Sequence, residues 1–123
     1  MSTVLIVEDN DKNMKLARDV LQAKGYQTLE AVTGEEGVKL AKANTPDLVL
    51  MDIQLPGING IEAFKQLRAD PQTARIPVVA LTASVTPTDR SQITAAGFDA
   101  FVGKPINLKE FLETVKRLVE AAK

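Results

Sequence analysis

The sequence predicts an α/β protein in which a parallel five-stranded sheet is covered on both faces by helices. Three observations carry that expectation. Short strand-like runs alternate strictly with segments of helical periodicity, five of each. The most apolar run, Leu48-Val49-Leu50-Met51, is uninterrupted, as expected of a strand buried on both faces, and Pro56-Gly57 punctuates the chain just beyond it. Several of these runs end in a polar residue rather than in a plain turn, and Met51 leads directly into the carboxylate of Asp52.

Taken in order, Val4 to Val7 form a first buried strand that ends in Glu8 and Asp9, with Asn10 behind them. From Lys12 to Lys24 the apolar residues Met14, Ala17, Val20 and Leu21 recur at helical spacing, and Gly25 supplies the stop. Gln27 to Ala31 is a short strand. Thr33 and Glu36 then have the spacing of a capping box, opening a helix that runs to about Ala43, with Pro46 beyond it. After the central strand, a third helix is expected from about Gly60 to Ala69, with Ile61, Phe64 and Leu67 on one face and Asp70-Pro71 as its end. Pro77 to Leu81 give a fourth strand, ending in Thr82-Ala83-Ser84. Thr86-Pro87 reads as a cap with proline at the first helical position of a helix that stops at Gly97. Ala100 to Val102 form the last strand, followed by Gly103-Lys104-Pro105. Asn107 and Glu110 open a final helix whose buried stripe is Leu108, Phe111, Leu112, Val115, Leu118 and Val119.

Strict alternation implies right-handed crossovers and a doubly wound sheet, and the flavodoxin-like order 2-1-3-4-5 suits this size. That order sets the first and third strands side by side at the switch point. Strands lie about 4.8 Å apart, so the acids at their carboxyl ends converge on one small volume.

The 123 residues are expected to form one domain, 1–123, burying roughly two thirds of the unfolded chain's surface. A net charge of -1 argues against nucleic acid or an acidic membrane surface as the main partner. There are no cysteines and no histidines, which excludes disulfides, thiol or imidazole catalysis and the usual zinc ligands. Any metal must therefore be oxygen-ligated. No apolar run approaches the ~20 residues of a membrane span and no leader pattern precedes the first strand, so a cytoplasmic protein is expected.

Every strand end but the second contributes a functional group: Glu8 and Asp9, Asp52, Thr82, and Lys104 just past the fifth. Three acids at close quarters repel one another unless a cation or protons intervene, and Mg²⁺ is the natural occupant, with Mn²⁺ able to substitute. A backbone carbonyl from the following loop, that of Gln54, would complete the protein's share. Asp52 is then placed to attack a phosphoryl group as a carboxylate nucleophile, with Thr82, the Ala83 N–H and Lys104 on the phosphoryl oxygens. Each residue alone has a plainer reading: Glu8, Asp9 and Asn10 as complements of a helix start, Thr82 as a strand or cap residue, Lys104 as a solvated loop lysine. Their joint occurrence at successive strand ends favours the site.

VLIVEDN at Val4 to Asn10, DLVLMDIQLPGING around Asp52, VVALTA at Val78 to Ala83 and FVGKPI at Phe101 to Ile106 resemble the receiver domains of two-component response regulators, over the whole chain. The resemblance implies that Asp52 is the phosphoacceptor, that Glu8, Asp9, Asp52 and the Gln54 carbonyl serve the metal, that Thr82 is the switch hydroxyl and that Lys104 contacts the phosphoryl group. It implies a usually cis peptide bond at Lys104-Pro105. Phe101 falls where the family carries a switching aromatic, often a tyrosine. The implied partners are a histidine kinase or histidine phosphotransferase and a downstream effector protein. EDNDKNMKL with LMDIQLP looks nearest to stand-alone regulators of bacterial cell-cycle signalling, and receiver modules of hybrid sensor kinases share much of that wording. A flavodoxin would need a phosphate-cradling loop where Glu8-Asp9-Asn10 stands. A phosphatase of the haloacid-dehalogenase class would need an acid where Gln54 stands.

Overall fold

In a computed structural model, which describes residues 2–55, 57–83, 87–104 and 106–121, the strands are β1 (Thr3–Val7), β2 (Gln27–Ala31), β3 (Leu48–Asp52), β4 (Val78–Thr82) and β5 (Ala100–Gly103). They alternate with α1 (Asp11–Ala23), α2 (Gly34–Asn44), α3 (Gly60–Ala69), α4 (Pro87–Ala96) and α5 (Leu108–Ala121). All pairings are parallel, in the order β2-β1-β3-β4-β5, as the alternation predicts. β3 and β4 are buried along their whole length, which is why they read as uninterrupted apolar runs.

The side-chain period of two divides the interior into two layers. Val4, Ile6, Leu48, Leu50, Val79, Leu81 and Val102 face the layer closed by α1 and α5, where Met14, Ala17, Leu21, Phe111, Val115 and Val119 pack. Leu5, Val7, Val49, Met51 and Val78 face α2 and α3, against Val38, Ala41, Ala63, Phe64 and Leu67.

The helix starts are fastened as their sequences suggest. The Asn10, Thr33, Asn59 and Asn107 side chains accept from the N–H groups of Asn13, Glu36, Glu62 and Glu110 at 2.9 to 3.1 Å. α1 is stopped just past Ala23 by Gly25, whose φ of +90° a residue with a Cβ adopts only at a cost. The cap at Thr86 and the Lys104-Pro105 bond lie outside the described residues. One part of the core expectation is corrected. Leu108 opens α5 rather than lining its stripe and is 47% exposed, because the buried face of the helix begins only in the next turn, at Phe111.

Candidate functional site

The parity that builds the core also aims the site residues. Glu8 and Asp52 follow Ile6 and Leu50 at a spacing of two, and Lys104 follows Val102, so all three continue the rows on the α1/α5 side. Thr82 and Phe101 have the opposite parity. The backbone ladder runs one residue past the strands: Glu8 N–H donates to the Ala31 carbonyl at 3.0 Å, Ile53 N–H to Leu81 at 3.0 Å and Lys104 N–H to Thr82 at 2.8 Å. The functional side chains therefore rise from a backbone that is still sheet-like.

Glu8 is 1% exposed and Asp52 3% exposed, and both meet one cation. The Lys104 Nζ lies 2.6 Å from Glu8 Oε1, as a close ion pair rather than an aligned hydrogen bond, and donates to Asp52 Oδ2 at 2.9 Å. The lysine side chain itself is only 14% exposed. The plainer reading of Lys104 as a solvated loop residue is thereby excluded. Asp52 Oδ1 accepts from the Gln54 N–H at 2.9 Å, and Glu8 Oε2 from the Asn10 N–H at 3.3 Å. Asp9 is exposed, yet Glu8, Asp9 and Asp52 each offer an oxygen within 4.8 Å of the others.

Electrostatics follow from this crowding. Burial pushes the Glu8 carboxyl up to about 7, the neighbouring Asp52 adds to the rise, and Lys104 only partly offsets it. Burial on its own would lower Lys104, but its two carboxylate partners outweigh it and hold the ammonium above its ordinary value. Two buried carboxylates on a single ammonium remain short of positive charge. Their hard oxygen donors suit a divalent cation such as Mg²⁺.

The remaining expected residues lie on or next to β4, on β5 and in the loop after β3. Thr82 is buried opposite Gly103 on β5, and Ala83 is exposed just after it. Gln54 is exposed in the loop after β3. Phe101 is half-buried on β5, with the Arg90 guanidinium of α4 5.3 Å from its ring centroid. The bridging of both acids by Lys104 escaped the sequence reading, which gave the lysine only a phosphoryl contact, and no sequence signal distinguishes the two. Nor did it foresee the hold of α3 on the β3 end, where the Gly60 N–H donates to the Ile53 carbonyl at 3.0 Å.

Comparisons with known proteins agree with this geometry. Residues 4–116 match the model of the response regulator receiver domain. The chain is 46% identical over 114 residues, 93% of each chain, to the polar-differentiation response regulator DivK of Brucella ovis. Among solved structures it is similar to the signal receiver domain of a signal transduction histidine kinase from Syntrophus aciditrophicus, with a TM-score of 0.92 and 31% identity, covering 100% of this chain and 93% of that one. It also resembles the receiver domain of the sensor histidine kinase PA1611 from Pseudomonas aeruginosa PAO1, solved with a magnesium ion coordinated in the active site cleft. There the TM-score is 0.90 at 30% identity, over 97% of this chain and 98% of that one.

Proposed function

The chain belongs to the response regulator receiver domain family, and from that premise we propose that Asp52 accepts a phosphoryl group from a histidine kinase or histidine phosphotransferase, the phosphorylated protein then signalling by binding an effector. The observation that carries this reading is the meeting of Glu8, Asp52 and Lys104 at the carboxyl end of the sheet, with Asp9 beside them. Glu8, Asp9, Asp52 and the Gln54 carbonyl would hold Mg²⁺. When bound, the ion supplies neutralising charge between the carboxylates and the incoming phosphoryl group.

The chain's own groups do the rest. Asp52 is the nucleophile: its carboxylate forms the new O–P bond while the bond from phosphorus to the donor nitrogen breaks with its electron pair. The Gln54 N–H fixes the direction of that carboxylate, and Lys104 accompanies the charge as it moves onto the phosphoryl oxygens. The Thr82 hydroxyl and the Ala83 N–H would hold the other oxygens. The protein turns over no external substrate and catalyses only its own phosphorylation and dephosphorylation. This reading places it in the cytoplasm, and among the described residues no helix is long and apolar enough to cross a membrane. A stand-alone regulator is preferred to a module of a hybrid kinase because the chain is 46% identical to the response regulator DivK over 93% of each chain.

Intact mass after exposure to acetyl phosphate tests the assignment. One alkali-labile phosphoryl group is expected with Mg²⁺, and none without a divalent cation or in Asp52→Ala. Uptake that survives the substitution would refute the phosphoacceptor.

A further inference from the structure

Gly60 opens α3 directly against the backbone of the proposed phosphoacceptor. A Cβ built on it would lie inside contact distance of the Asp52 carbonyl oxygen and 2.8 Å from Ile53 Cα. These are backbone atoms at the end of the central, fully buried strand, so they cannot rotate away as a side chain can. The Gly60 N–H also donates to the Ile53 carbonyl at 3.0 Å, while Asn59 caps the helix through the Glu62 N–H. The loop between β3 and α3 is thus closed by backbone touching backbone.

The same loop is gripped from its other side. A Cβ on Gly34, the first residue of α2, would stand 2.8 Å from Ile58 Cγ1 and 3.0 Å from the Ile58 carbonyl. Between the two glycines runs the segment that carries the Gln54 N–H to Asp52 Oδ1 at 2.9 Å.

We propose that Gly60, supported by Gly34, is a positioning residue that holds the Asp52 carboxylate and the Gln54 backbone in register for the cation. The proposal deepens the reading above and rests on it. A methyl group at Gly60 has to push α3 away from β3 or bend the strand end, and either movement turns the Gln54 peptide relative to Asp52. Its backbone dihedrals are not the reason for glycine here, since Gly60 lies in a helix with negative φ. Close approach is.

The test compares Gly60→Ala with Gly25→Ala, a substitution at a position where φ is +90° and no atom lies within 4 Å of the added Cβ. Gly25→Ala should lower stability through backbone strain alone. Mg²⁺ titration by calorimetry and the Gln54 amide shift in ¹H–¹⁵N spectra are the readouts. Gly60→Ala should weaken Mg²⁺ binding by about 10-fold or more and move the Gln54 amide, in the range for losing the support of a metal ligand. Gly25→Ala should leave both unchanged. Parental Mg²⁺ affinity in a folded Gly60→Ala overturns the proposal. If that variant does not fold, Gly34→Ala decides, because its Cβ meets the loop backbone less tightly, 3.0 Å from the Ile58 carbonyl, and so displaces the loop without the severe clash at Gly60: weakened binding supports the clamp and unchanged binding overturns it. A parent that binds no Mg²⁺ at all would instead refute the site on which the proposal stands.

Discussion

Among the described residues, Glu8 is the side chain whose surroundings most disfavour its charge, and that makes it a reporter of the site. With no cation bound, its carboxyl titrates near 7 when folded against an ordinary value of 4.5. A raised value means that the folded state binds the proton more tightly, so the contribution to stability is fully present below pH 4.5 and is lost as pH rises through 7. The metal-free protein should accordingly lose about 3 kcal/mol from this group across that window. Urea denaturation in a chelating buffer at several pH values should show this slope in the parent and not in Glu8→Gln. Mg²⁺ should remove it by favouring the carboxylate. Lys104 completes the argument: Lys104→Met leaves two buried carboxylates without their ammonium and should cost about 3 kcal/mol or more in the absence of metal. Mg²⁺ should recover a larger share in that variant than in the parent, and equal metal stabilisation of the two would refute the pairing.

Between elements, the consequential join is that of β4, β5 and α4. Thr82 and Phe101 share the parity that faces away from the acid cluster's row, and Phe101 lies alongside Ala80 in the β4–β5 register. The proposed switch has Thr82 drawn to the phosphoryl group and the Phe101 ring moving into the vacated space, which remodels the face formed by α4, β5 and α5. A few kcal/mol of preference for that conformer is enough to make it dominant. Phe101 has no hydroxyl, so its contribution is steric: Phe101→Tyr should be mild and Phe101→Ala should weaken the coupling. In Thr82→Ala, phosphoryl uptake on Asp52 should persist while partner affinity loses its dependence on phosphorylation. Binding of a candidate histidine kinase to the phosphorylated and unphosphorylated forms measures this, and equal coupling in parent, Thr82→Ala and Phe101→Ala would sink the switch without touching the phosphoacceptor.

For the molecule as a whole, cation binding and folding are one equilibrium. Mg²⁺ at about 100 times its dissociation constant, binding only the native state, should add about 2.7 kcal/mol. Thermal melts with and without the ion should show the gain in the parent, and Asp9→Asn should show much less of it. An equal gain in Asp9→Asn would mean that the ion sits elsewhere. The two-layered core sets the background against which such gains are read. Phe111, 1% exposed in the layer shared by α1 and α5, should cost about 3 to 5 kcal/mol when truncated to alanine. That loss should appear equally with and without Mg²⁺, since no ligand contact is involved.

Most of this architecture was legible in the order of residues because its signals are local. Apolar runs of four or five residues, the caps at Asn10, Thr33 and Asn107 and the stop at Gly25 each act within a turn or a strand, and alternation then leaves few topologies. The strand-end position of Glu8, Asp52, Thr82 and Lys104 followed from the same local pattern. What only the tertiary structure decided is how those ends touch. That Lys104 spans Glu8 and Asp52, that burial lifts Glu8, and that Gly60 lies on the Asp52 backbone all depend on contacts between segments far apart in the chain. Leu108 shows the same division, apolar in the right period yet exposed, because how far along α5 the core reaches, from Phe111 onward, is set by packing against other elements. Periodicity fixes which way a side chain points along its own element, and close approach between elements is fixed only when the whole core packs.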